Sequence, residues 1–191
     1  RRSIETIEKN MARQASRGKV TEEDVKSALS RIEIGTDYSG FKNCDIVIEA
    51  ATENEDIKRK IFLEMAGCLN ENTLLATNTS SISITRLAST TDRPEKFIGM
   101  HFFNPVPVMQ LVELIKGIAT SKETFASVNE LSESLGKTVA EAEDFPAFIV
   151  NRILVPMINE AVYAVYEGVG TIRSVDIGLR LGANHPMGPL Q

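Results

Sequence analysis

Apolar residues fall into two alternating spacings along this chain. From Ser3 to Arg17 the spacing is helical: Ile4, Ile7, Met11 and Ala15 share one face, and Gly18 stands where a helix C′ residue turns left-handed. Thr21-Glu-Glu-Asp24 has the spacing of a capping box, which predicts a second helix with Val25, Ala28 and Leu29 on its apolar face. Short runs rich in β-branched and aromatic residues then predict strands at Ile32 to Ile34, Asp45 to Ala50, Thr73 to Thr77, Phe97 to Phe103, Leu111 to Ile115 and Thr138 to Ala142. Helical patterns intervene at Glu55 to Leu69, Ile84 to Ser89 and Lys122 to Leu135. Strands alternating with helices predict an α/β fold whose ligands lie at the carboxyl ends of the strands. The character changes around Asp144-Phe-Pro146, and a domain boundary is placed between residues 144 and 145. Phe148 to Tyr166 predicts a long buried helix kinked at Pro156, followed by a shorter one from Ile172 to Leu181 with Gly182 as its stop. This is the start of an all-helical domain.

Composition narrows the classes of function. With 42% hydrophobic and 25% charged residues the chain is an ordinary globular one, and no apolar run approaches the length of a membrane span. Cys44 and Cys68 lack metal-ligand spacing and a histidine neighbour, so no metal is expected, and two isolated thiols favour the cytoplasm over export. The net charge of −5 is uneven: residues 1–31 carry +3 and residues 32–191 carry −8. An acidic body argues against nucleic acid as a partner. The basic start can still serve a small anion. Lys9, Arg13 and Arg17 recur every four residues and form either a stripe for phosphates or a solvated charged face.

Candidate chemistry concentrates between Phe97 and Ile115. His101 lies in one apolar run, Asn104-Pro105 and Pro107 follow, and Glu113 lies in the next run. Two such strands side by side, folded about Pro107, bring positions 101 and 113 opposite each other. A carboxylate there can orient an imidazole able to take a proton near neutral pH. A satisfied core histidine is the competing reading.

Five ordered segments carry a resemblance: Asp45-Ile-Val-Ile-Glu-Ala-Ala-Thr-Glu-Asn54, Ala76-Thr-Asn-Thr-Ser-Ser81, Gly99 to Ile115, Phe148-Ile-Val-Asn-Arg152 and Ala183-Asn-His-Pro-Met-Gly-Pro-Leu190. Together they resemble the L-3-hydroxyacyl-CoA dehydrogenase family. The resemblance implies a Rossmann-like dinucleotide-binding domain followed by a helical domain that carries substrate contacts and a homodimer interface. It implies NAD as cofactor and an acyl-CoA as substrate, in reversible oxidation of the 3-hydroxybutyryl-CoA type found in fatty-acid or butanoate metabolism. By the same resemblance His101 is the catalytic base and Glu113 its partner, Ser80 and Asn151 hydrogen-bond the substrate, and Glu53, Lys58, Ser80 and Asn104 lie on the cofactor side.

Each role has a plainer alternative. Ser80 can cap a helix, Asn151 can be a packing amide, and Glu53 through Lys60 can be a solvated helix start. His185, between Asn184 and Pro186, reads as a turn residue. The strand, G-x-G-x-x-G turn and acidic residue that open a dinucleotide-binding domain are not in the sequence, and Gly168-Val-Gly170 ends a helix instead. Arg1 is therefore not expected to be the natural start, and the family's helices are expected to extend past Gln191. Ala147 stands where the family often has glycine, so a tight turn there should be perturbed slightly. A relative acting on a free hydroxy acid or sugar acid, and a non-catalytic fragment, are the alternative functions.

Overall fold

The capping signals read from the sequence place the first two helices. In the computed structural model, which describes residues 2–191, α1 spans Arg2–Ser16 and α2 spans Glu22–Leu29. Gly18 has φ +67°, and Lys19 N–H reaches back to the Gln14 carbonyl at 3.0 Å, which satisfies the last turn of α1. Thr21 and Asp24 cap α2 reciprocally, with backbone-to-side-chain bonds of 2.9 and 3.0 Å. These helices belong to a compact unit that ends at Gly40. The strand expected at Ile32 to Ile34 does not form. Its residues join no ladder and Ile34 is 63% exposed; a short apolar run becomes a strand only where a neighbour can pair with it.

The second unit, Phe41–Gln191, is built on one sheet. Its five strands, β1 (Ile46–Glu49), β2 (Leu74–Thr77), β3 (Phe97–Phe102), β4 (Leu111–Lys116) and β5 (Thr138–Glu143), lie in chain order. β1, β2 and β3 are parallel, β4 is antiparallel to β3, and β5 is parallel to β4. The connections from β1 to β2 and from β2 to β3 carry α3 (Glu55–Met65) and α4 (Ile84–Ala88), and α5 (Lys122–Ser134) joins β4 to β5.

Strand period decides which helix covers which face. Ile98, Met100, Val112 and Leu114 point to one side and cluster with Val128 of α5. Phe97, Gly99, His101, Glu113 and Ile115 alternate to the other side, where Phe97 meets Phe62 of α3 edge-on. A Cβ on Gly99 would lie 2.7 Å from Ile84 Cδ1 and 2.9 Å from Ile115 Cβ, so only glycine lets α4 lie this close to β3. Both faces of the central strands are covered. Continuous apolar runs, rather than alternating ones, are therefore what the sequence shows there.

After β5 the chain turns through Ala147 (φ +66°) and Phe148 (φ +54°) into α6 (Val150–Tyr166). The alanine keeps the left-handed turn that glycine would adopt without strain. α6 stays helical on both sides of Pro156, and α7 (Ile172–Ile177) packs against it before a wide turn at Gly178–Gly182. The expectation of a buried helix is corrected: only Ala161 of α6 is buried, while Ile153, Val155, Val162, Tyr163 and Tyr166 are exposed. Its apolar residues spread around the helix, and α7 is too short to cover them. Among the described residues no helix is long and apolar enough to cross a membrane.

Candidate active site

β3 and β4 set His101 directly opposite Glu113 in register, both pointing to the α3 and α4 side of the sheet. Glu113 is fully buried and His101 is 4% exposed. His101 Nδ1 lies 2.7 Å from Glu113 Oε2, and Ser80 Oγ lies 3.1 Å from His101 Nε2. With a carboxylate as acceptor Nδ1–H is the donor, so Nε2 carries the lone pair and faces the serine. Phe103 and Phe148 flank the imidazole, with ring centroids 4.6 and 5.7 Å away.

The other oxygen of Glu113 has a partner that strand pattern alone does not show. Oε1 accepts the backbone N–H groups of Ile149 and Val150, at 3.2 and 2.8 Å, where α6 begins. A helix N-terminus leaves such donors unsatisfied and carries positive potential. The carboxylate therefore holds the imidazole with one oxygen and the start of α6 with the other. Asp144 does the same for α4, accepting from Ser83 Oγ and from the amides of Ile84 and Thr85 at 2.7 to 2.9 Å. Burial alone would raise the Asp144 carboxyl, but these donors outweigh it and hold the group below its ordinary value.

Ser80 is not the cap of α4; Ser83 is, through a bond from Arg86 N–H. The loop bearing Ser80 is instead tied to Glu53. One carboxylate oxygen, Oε1, accepts from Thr79 Oγ1 (2.7 Å), Ser80 N–H (2.9 Å), Ser81 N–H (3.0 Å) and Ser81 Oγ (2.9 Å). Partial burial pushes the Glu53 carboxyl up, yet the hydroxyl and amide donors and the charge of Lys58 bring it below its ordinary value.

Lys58 is fully buried and forms an ion pair with Glu49 at 2.6 Å. Its amine also donates to the Asn78 carbonyl at 2.9 Å and meets Thr77 Oγ1 at 3.4 Å, so its three donors are spent inside the protein. It ties α3 to the carboxyl ends of β1 and β2, and the solvated helix start begins beside it with Asn54 as cap. Asn78 Oδ1 in turn accepts from Phe102 N–H at 2.9 Å, which joins the end of β2 to β3. Neither Asn78 nor Glu49 was singled out from sequence. The available signal was a charged or amide side chain ending each of two apolar strands.

Asn104 is exposed beyond β3, and Asn151 borders an open cleft of about 440 Å³ with Pro146, Ala147, Arg152, Val155 and Pro156. His185 is a turn residue, its N–H bonded to the Leu179 carbonyl. A second cleft of about 530 Å³ lies at the carboxyl ends of β4 and β5, where Lys116 is already bridged by Glu141 and Glu143. No cluster of metal-ligand type occurs among the described residues.

A serine, an imidazole and a carboxylate in line are the parts of an acyl-transfer triad. That chemistry also needs N–H donors aimed at the developing oxyanion. Here the amides of Ser80 and Ser81 are turned to Glu53. What remains is a hydroxyl within 3.1 Å of a ring nitrogen, groups suited to holding an alcohol and taking its proton.

Residues 1–145 match the model for the NAD binding domain of 3-hydroxyacyl-CoA dehydrogenase, and residues 148–191 match the C-terminal domain of the same family. The 3-hydroxybutyryl-CoA dehydrogenase of Bradyrhizobium diazoefficiens is 58% identical over 186 residues, which cover 97% of this chain and 64% of that protein. The mitochondrial hydroxyacyl-coenzyme A dehydrogenase of Homo sapiens is 42% identical over 91% of this chain and 55% of its own length. The crystal structure of (S)-3-hydroxybutyryl-CoA dehydrogenase from Ralstonia eutropha superimposes with a TM-score of 0.96 at 52% identity, covering 98% of this chain and 66% of that one. The chain thus spans 55% to 66% of the length of these relatives.

Proposed function

Because the chain belongs to the 3-hydroxyacyl-CoA dehydrogenase family, we propose that its protein oxidises L-3-hydroxyacyl-CoA to 3-oxoacyl-CoA reversibly with NAD, and that 3-hydroxybutyryl-CoA is among its substrates. The observation that carries this reading is the line from Ser80 through His101 to Glu113. His101 Nε2 takes the hydroxyl proton. Glu113 steadies the ring and the positive charge it gains, while Ser80 and Asn151 hold the substrate oxygens. Buried placement keeps the pair oriented without reorganisation at each turnover.

NAD, when bound, accepts the hydride that leaves the carbinol carbon. The donors near the carboxyl ends of β2 and β3 fit its nicotinamide end: the Ser80 hydroxyl beside the base and the exposed Asn104 amide. The glycine-rich turn that grips a pyrophosphate is not part of the 191 residues. On this reading residues 1–144 belong to the NAD-binding domain, residues 145–191 begin the helical substrate and dimerisation domain, and the protein works as a cytoplasmic homodimer in fatty-acid or butanoate metabolism. Lys9, Arg13 and Arg17 are exposed on or just beyond α1, the arrangement a CoA phosphate would use.

The test is NADH formation by a protein of the relatives' full length, offered L-3-hydroxybutyryl-CoA and free 3-hydroxybutyrate in parallel. Turnover of the thioester alone is expected. Comparable turnover of the free acid would favour a hydroxy-acid dehydrogenase, and turnover of neither would remove the proposal.

A further inference from the structure

Glu53 and Ser80 lie 27 residues apart, yet the loop that presents Ser80 is organised around Glu53. Four donors converge on Oε1 alone, two backbone amides and two hydroxyls, all from the three consecutive residues Thr79 to Ser81. Thr79 Oγ1, while donating to Glu53, also accepts from Ile82 N–H at 3.1 Å, which extends the grip toward α4. No ladder bond fixes this loop, since β2 ends at Thr77. Without the carboxylate the Ser80 and Ser81 amides have no protein acceptor equal to it; the only other bond to either is the long one, 3.4 Å, from Ser81 N–H to Thr79 Oγ1.

We propose that Glu53 is a positioning residue for Ser80: it fixes the Thr79–Ser81 loop so that the Ser80 hydroxyl stays on His101 Nε2. This goes beyond the cofactor-side role expected for Glu53 and rests, for its effect on turnover, on the dehydrogenase reading above. A carboxylate suits the task better than a neutral acceptor, because bonds to an ionised oxygen are roughly twice as strong as neutral ones. Its exposed position explains how the residue can be replaced without disturbing the buried strands.

Two readouts on the full-length protein test this. Nitrogen chemical shifts of His101 report whether a hydroxyl reaches Nε2, whether or not the protein turns over hydroxyacyl-CoA. Glu53→Ala is expected to move the Nε2 signal in the same direction as Ser80→Ala, and Glu53→Gln to recover part of the wild-type position. An unchanged Nε2 signal in Glu53→Ala overturns the proposal. In steady-state kinetics Glu53→Ala should lower kcat/KM for the acyl-CoA by about 10²-fold, the scale of a small misplacement of a reacting partner, with KM for NAD changed no more than Ser80→Ala changes it. The double variant with Ser80→Ala should cost no more than Ser80→Ala alone, since the first residue acts through the second. Additive losses, or a rise confined to KM for NAD, mean that Glu53 contacts the cofactor and does not position Ser80. Absence of turnover in the wild type would refute the dehydrogenase reading and leave the His101 signal to decide this one.

Discussion

β3 and α6 are similarly apolar in sequence and meet opposite fates. Every residue of Phe97–His101 is buried, whereas α6 buries one residue of seventeen. β3 has α3 and α4 on one face and α5 on the other, so its side chains have partners wherever they point. α6 is anchored at its first turn, by Glu113, and along its length packs mainly against α7. Hydrophobic pattern records what a segment can bury, while topology decides what is available to bury it. The site sits where both conditions hold: β3 fixes the His101 ring and β4 supplies its buried partner, Glu113.

The largest effect is expected at Lys58. Its amine and Glu49 are buried together, so Lys58→Met leaves a buried carboxylate with only Thr77 and Ala51 as donors. Denaturant unfolding should register a loss of about 3–5 kcal/mol; a loss under about 1 kcal/mol would show that water reaches Glu49. Next comes a matched pair of truncations. Leu114→Ala, in the packed face of β4, should cost about 2–5 kcal/mol, and Leu154→Ala, on exposed α6, within about 0.5 kcal/mol. Equal losses in the 191-residue chain would mean that the face of α6 is covered in solution.

Acid sharpens the contrast at the junction between the two regions. The Asp144 carboxyl lies below its ordinary value in the folded state, so the stability it supplies is present above the unfolded value and is lost as pH falls through the folded one. Thermal unfolding should therefore move to lower temperature below about pH 4, with a shallower decline in Asp144→Asn. Identical acid profiles would detach this carboxylate from the stability of the α4 cap.

Much of this was legible in the chain. The two apolar runs placed His101 opposite Glu113 because both positions lie six residues from Pro107, about which the chain reverses. Gly18 and the Thr21 to Asp24 box marked helix ends through local chemistry that needs no tertiary partner. The rest depends on residues far apart in sequence. Lys58, expected on the cofactor side with a solvated helix start as the plainer alternative, has Glu49 beneath it, and Ile32 to Ile34 read as a strand until no ladder partner is found. That Glu53 Oε1 gathers the serine loop has no signature in the sequence around it. The amides of Ile149 and Val150 carry no side-chain signature at all, so the second anchor of Glu113 could be seen only in the fold.

The central claim is that His101, held by Glu113, is the base. Its most direct test is rapid mixing of the full-length protein with NAD and L-3-hydroxybutyryl-CoA, comparing the wild type with His101→Gln and measuring substrate binding alongside. Formation of NADH should fall by about 10²- to 10⁴-fold while substrate binding persists. Hydride transfer in His101→Gln at close to the wild-type rate would contradict the account.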